Sequence, residues 1–540
     1  MKALDTAYVN GKVYTVDEGF NTATAFGVCG DRFDVVGTDE EVKAHCGPET
    51  KIIDLGGKAV VPGLIDSHLH VQGTGALKME VYVVGCSKEE CLARVAAAVK
   101  KARPGEWIVG RGWINDEWSD PAFPTKEELD SVSPDNPVCL KRSCGHATWV
   151  NSKAFEMAGI TDATPDPVGG EYLRKADGSL LGVVTDQAQD PFNKAIPPYT
   201  KEQLQRIALL AQEGFFEVGI TSVEDAGSSE EWFEAWEELY KTGAMKLRMY
   251  ISMRVVGRPS YEELISKTKE YMKYGLRIGQ YGNRLTARAY KISLDGSLGA
   301  RSAWMLADYD DRPGHKGNGK WTDEQLYNIL VEPFKAGFQL WAHGIGDAAV
   351  KQGLDVFERL QKEFPRPDCR NRIEHSQVIA PEDVDRYMEL GVIPTYQTVF
   401  IRTDKRVADA RWGERMKRAY IWRTMIDKGN KIPNGTDSPV ESYDPFLSMY
   451  CAVARKDEHG QPEGGWHKEE AMTREEALRS YTIWGAYAAF EEHLKGSIEP
   501  GKLADFAVLD RDYMTCPEDE IKNIKVLCTV VGGETVFSRL

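Results

Sequence analysis

Long apolar runs are missing from this chain. No stretch of about 18 or more consecutive apolar residues occurs, the length a helix needs to cross a hydrocarbon core, so no membrane-spanning helix is expected. The N-terminus, MKALDTAYVNGKVYTVDEG, lacks the apolar segment of a secretion signal, and the compartment expected from that is the cytoplasm. A basic excess is missing as well. Lys and Arg number 67 against 83 Asp and Glu, a formal net charge of −16. That balance argues against a nucleic-acid backbone or an anionic membrane as partner, because both are bound by clustered positive charge. Cys-x-x-Cys spacing is absent among the ten cysteines. Scattered along a long chain, they are expected to be reduced thiols, several of them buried. Internal repeats, low-complexity tracts and long charge blocks are absent too.

The 540 residues, 42% of them hydrophobic, are enough for a large core and more than one domain. The first sixty are short β-type runs, TAYVNGKVYTV, TAFGVCGDRFDVVG and KIIDLGGKAVVPG, with hairpin signals at Asn10-Gly11 and Gly30-Asp31. LADFAVLDRD and NIKVLCTVVGGETVFS near the C-terminus have the same texture. Each piece is too small to bury a core alone, so residues 1–60 and 484–540 are expected to combine into one β-sandwich.

Between them, residues 61–483 alternate short apolar strands with amphipathic helices, such as TDEQLYNILVEPFKAG before FQLWAHG. That alternation implies right-handed βαβ units and a parallel sheet. The strand ends fall at His70, Asp225, Met253, Lys291, His343, His375, Gln397 and Asp437. Eight strands close an α/β (β/α)8 TIM barrel and bring their ends to one rim. An open doubly wound sheet is the alternative, but it would not gather polar residues from five strands around one point. The interval from His70 to Asp225 is too long for one βα unit, so an insertion over residues 103–200 is expected after the first strand. It holds Trp107, Trp113, Trp118, Trp149 and a hairpin around Asp177-Gly178. Its expected place is a lid over the active face.

The first barrel strand carries the clearest chemistry. VPGLIDSHLH runs an apolar strand into His68 and His70, which point to the same side because strand side chains alternate. Alone, such a pair is as often solvated or hydrogen-bonded as metal-binding. Lys291, His343, His375 and Asp437, each at the end of a later strand, turn the balance toward a metal site. Neutral imidazoles and carboxylates suit zinc. Cys144 lies two residues from His146 in KRSCGHATW, but residues so spaced on a strand usually line a surface together without forming a nucleophilic dyad.

With VPGLIDSHLH, WIVGRGWINDEW, GHATWVNSKAF, KISLDGSLGARSA, AHGIGD, RIEHSQ, GTDSPV and GSIEPGKLADFAVLD in hand, the chain resembles the amidohydrolase superfamily of metal-dependent hydrolases over nearly its full length. The branch it is most similar to includes N-substituted formamide deformylases. The resemblance implies two zinc ions per chain. His68 and His70 would hold one together with Asp437, His343 and His375 the other, and a carbamylated Lys291 would bridge them. It further implies hydrolysis of a small-molecule C–N bond by a metal-activated hydroxide, with Asp437 as general base and acid, in a homodimer. His146 would serve catalysis by hydrogen bonding to substrate or oxyanion. Trp113, Asp295 and Arg301 are expected to contact substrate. A silent binding or regulatory protein, and a lyase or decarboxylase, remain alternatives. The latter would be favoured by arginines facing the metals, for which Arg142 and Arg301 are candidates.

Overall fold

The computed structural model describes residues 3–143, 146–257 and 259–540; Cys144 therefore lies outside the described residues. It divides into two compact units, one formed by the chain up to residue 71 together with 212–540, the other by 72–211.

The larger unit is built on seven parallel strands: β1 (Leu64–Leu69), β2 (Ile220–Ser228), β3 (Arg248–Met253), β4 (Leu285–Ser293), β5 (Gln339–Gly344), β6 (Arg372–His375) and β7 (Ile393–Thr395), hydrogen-bonded in sequence order. Every residue of β1, β2 and β3 is buried, as expected of strands covered on both faces. Tyr250 and Trp341 stack inside the barrel with ring centroids 5.9 Å apart, and both donate to Gln339 Oε1, at 2.9 and 2.8 Å. Helices start where the sequence offers caps. Thr322 and Gln325 form a reciprocal capping box ahead of helix Asp323–Lys335.

The eighth stave departs from the expectation of a regular strand ending at Asp437. Residues 433–437 make only one isolated parallel bridge, Asn434 to Tyr396. They still close the barrel through backbone bonds on both sides. Tyr396 N donates to Pro433 O and Gly435 N to Tyr396 O (3.2 and 2.9 Å); Ser67 N donates to Asn434 O and Asp437 N to His68 O (3.0 and 2.7 Å). Two features explain the irregularity: Pro433 has no N–H to give a ladder, and Asp437 turns the chain with φ +55°.

The chain ends supply two further sheets. One has four strands in the order Arg32–Gly37, Ala25–Cys29, Thr6–Val9, Lys51–Asp54; the other places Glu534–Ser538, Val526–Val531 and Phe506–Leu509 beside Ala59–Pro62, Lys12–Tyr14 and Thr22–Ala23. Tyr8, Phe26, Phe33 and Phe506 share one apolar core. Helix Ile483–Ala488 lies on the barrel instead, with Gly485 against Ser67 and Ile65 of β1.

The smaller unit contains one six-stranded sheet, in the order Gly170–Arg174, Leu180–Asp186, Ala147–Val150, Val138–Arg142, Ile108–Trp113, Val81–Tyr82. Its first two strands form the hairpin around Gly178, which takes φ +88°. Trp113, Trp118 and Trp149 pack together in its core. Among the described residues of either unit, no helix is long and apolar enough to cross a membrane.

Candidate metal centre

Register brings the chemistry to one end of the barrel. Ser293 of β4 is opposite His343 of β5, and Gly344 of β5 is opposite His375 of β6. Lys291 lies two residues deeper than Ser293, opposite Trp341. His68 ends near this level on β1, and the backbone bond from Asp437 N to His68 O fixes Asp437 beside it. His68, His375 and Asp437 each offer a ligand atom within 4.8 Å of the others. His70 Nε2 lies 3.3 Å from Asp437 Oδ1 and His68 Nε2 3.6 Å from it. The His343 and His375 ring centroids are 4.5 Å apart. His375 and Asp437 both take positive φ, +76° and +55°. For residues other than glycine this conformation is costly and clusters at functional sites.

Oxygen atoms back three of the inward imidazoles. His68 Nδ1 contacts a Glu374 carboxylate oxygen, His375 Nδ1 donates to Gln397 Oε1 at 2.7 Å, and His343 Nδ1 lies 3.0 Å from Asp295 Oδ1. His70 sits in the field of buried Asp225, which accepts from Val71 N and Ser228 Oγ. At His68 and His375 the acceptors on Nδ1 fix the tautomer that leaves Nε2 free to bind an ion, the usual outer arrangement of a metal-ligating histidine; Asp295 lies close behind His343 without a well-aligned hydrogen bond. Below the ligands, Asp66 accepts from His68 N (3.1 Å), Thr436 N (3.2 Å) and Thr436 Oγ1 (2.6 Å), tying the seam to β1.

The electrostatics agree with a ligand set. Burial, aided by the charge of Lys291, pushes the His68 imidazole down to about 4. Burial likewise holds His375 well below its ordinary value. Both are therefore neutral near pH 7, as metal binding requires. Burial works to raise Asp437, but hydrogen bonding to His70, joined at low pH by the charges His68 and His375 then acquire, overcomes it and holds the carboxyl below the usual range. Lys291 is the odd member. It is 3% exposed, burial pushes its ammonium down to about 8, and among the described residues no carboxylate lies within ion-pair distance of it.

Other expected site residues fall elsewhere. Asp295 is not available to substrate: its carboxylate accepts from Trp304 N and Gly346 N (both 2.9 Å) and Ile345 N (3.2 Å) and backs His343. Arg301 is spent on Asp311, at 2.6 Å. Trp113 is fully enclosed in the core of the smaller unit, where its indole donates to Leu140 O at 2.7 Å, so it offers no wall to a ligand. Arg142 pairs with Asp116 in the same unit. His146 is exposed there, its Nδ1 2.8 Å from Asp186 Oδ1. The sequence marks Gln397 as the end of the seventh strand but gives no sign of its bond to His375; Glu374, an acidic residue directly before the strand-end His375, is not picked out by the strand-end pattern.

Residues 51–537 match the model of the amidohydrolase family. The chain belongs to that family. It is 30% identical over 551 residues, all of both chains, to the Bacillus subtilis (strain 168) protein named "Putative amidohydrolase YtcJ". It is 29% identical to the N-substituted formamide deformylase of Arthrobacter pascens, covering 99% of this chain and 98% of that one. A solved metal-dependent hydrolase from Pyrococcus furiosus superposes with TM-score 0.77 at 30% identity, over 94% of this chain and 100% of the other. This amidohydrolase thus has the TIM-barrel-type fold of the family with additional sheets, and a hydrolase activity with a candidate metal cluster at the strand ends.

Proposed function

We propose that the protein hydrolyses a C–N bond, amide, N-formyl or related, in a small molecule, at two zinc ions held by His68, His70, His343, His375, Asp437 and a carbamylated Lys291. The observation that carries this reading is the combination of histidines braced from behind with a buried, unpaired lysine among them. An ammonium has no lone pair and cannot ligate. A neutral amine can add to carbon dioxide, forming an N–C bond and releasing a proton, and the carbamate so made is a carboxylate-like bridge. The relative named a formamide deformylase supports the C–N assignment.

When bound, zinc lowers the pKa of water and polarises a carbonyl oxygen. Asp437, ionised and beside His68 and His70, takes the proton of the attacking water and returns it to the leaving nitrogen. Glu374 and Gln397 keep the His68 and His375 imidazoles from turning while charge develops. A cytoplasmic homodimer is the assembly we assign.

Elemental analysis of protein purified without chelators tests the centre. We expect about two zinc ions per chain, falling to about one or fewer in Lys291→Ala, with the intact mass of the wild type higher by one carbon dioxide under native conditions. A wild type without stoichiometric metal would sink the proposal.

A further inference from the structure

One cation at the strand ends has no assigned role. Arg254 is the first residue beyond β3, and its N–H donates to Ser228 O at the end of β2 (3.0 Å). Its stem crosses Gly227, which takes φ +130°, and where a Cβ would lie 2.7 Å from Arg254 Cδ. That glycine is what lets the arginine lie over the strand end. The guanidinium is near enough to Asp437 and Asp225 to feel both charges, and near enough to Lys291 to help push its amine down.

Several other arginines of the barrel unit are paired with carboxylates: Arg248 with Asp505, Arg372 with Glu224, Arg402 with Glu441 and Glu458. Arg254 is partly buried, yet among the described residues its side chain has neither an ion pair nor a hydrogen-bond acceptor. The nearby carboxylates are engaged without it. Asp437 faces His68 and His70, and Asp225 accepts from Val71 N and Ser228 Oγ. A guanidinium with its donors uncommitted to protein acceptors, at a partly buried position beside the strand ends, is free to bind an incoming anion. Its planar fork matches a carboxylate. Lys320, exposed just past the end of the adjacent strand with its N–H on Leu294 O (2.8 Å), adds attraction of the same sign.

We propose that Arg254 recognises a carboxylate on the substrate, so that the compounds hydrolysed are N-acyl or N-formyl amino acids in class. The inference rests on the hydrolase reading above.

The zinc-loaded enzyme is assayed on matched pairs that differ only in the carboxylate: N-acetylphenylalanine against N-acetyl-2-phenylethylamine, and the corresponding N-formyl pair. A charge-assisted bond predicts that kcat/KM favours the acids about tenfold or more. In Arg254→Gln that ratio collapses, chiefly through KM, and Arg254→Lys recovers part of it. Equal turnover of acid and neutral partner by the wild type, or an unchanged ratio in Arg254→Gln, overturns the inference while leaving the hydrolase reading intact. If no amide is hydrolysed, the hydrolase reading fails, and calorimetric binding of N-acetylphenylalanine decides the subsite separately. Binding weakened about tenfold in Arg254→Gln supports it; binding that is absent in the wild type or unchanged in the variant overturns it.

Discussion

Asp437 is in contact with two imidazoles and is held ionised against the upward push of its own burial. A carboxylate kept charged at that cost is placed to accept a proton only when a neighbour donates one in the reaction itself. Asn at this position keeps the shape and loses the base. We therefore expect Asp437→Asn to lower kcat by a factor on the order of 100 or more, with KM changed far less, because general base catalysis acts in the transition state. Stopped or steady-state kinetics on any accepted amide decides it. Equal loss in KM with kcat retained would reassign Asp437 to substrate binding. Gln397 carries the complementary lesson. A neutral side chain at a strand end holds His375 through one 2.7 Å bond, and that role is invisible until the fold puts the two side by side.

At the level of elements, the seam between β7 and β1 is the barrel's most exacting part. A Cβ on Gly435 would lie 2.5 Å from His68 N, 2.6 Å from His68 Cβ and 2.7 Å from His68 O. Backbone cannot move aside as a flexible side chain can. We expect Gly435→Ala to cost roughly 1–3 kcal/mol by overpacking and to weaken metal retention, since Asp437 and His68 are displaced together. Urea unfolding and metal content measured on the same preparation test this, and a variant with wild-type stability and full metal would show that the seam tolerates spreading. The same seam marks where reading the sequence stops. Strands β1 to β6 are legible from their alternation with amphipathic helices and from the ligand-type residues at most of their ends, even though β2 and β6 carry acidic residues and β6 is only RIEH. The eighth stave is not, since it is made of isolated backbone bonds around Pro433 and Gly435 and has no side-chain period. Ligand-type residues at strand ends were legible together with the strands. Whether Trp113 lines a cavity or fills a core was not, because an aromatic residue reads alike in either place.

In the whole molecule, N-terminal and C-terminal strands share one sheet and one core, and a carboxylate adds a side-chain tie between them. Asp512, in the turn after Phe506–Leu509, accepts from Lys12 Nζ at 2.5 Å and Tyr14 Oη at 2.7 Å, on the strand of residues 12–14. Partial burial alone would raise its pKa; the bonds from Lys12, Tyr14 and Thr515 outweigh that and pull it from 3.8 to about 2. A carboxyl whose folded pKa is depressed contributes stability that is fully present above its unfolded value and is lost as pH falls through the folded one. The window is therefore about pH 4 down to about pH 2, and the contribution, discounted for solvent screening at a partly exposed site, is about 1 kcal/mol. We expect Asp512→Asn to unfold at lower urea than the wild type at pH 7, with the gap closing as pH falls through that window. A gap that persists unchanged at about pH 2 would show that Asp512 acts through packing and not through its charge.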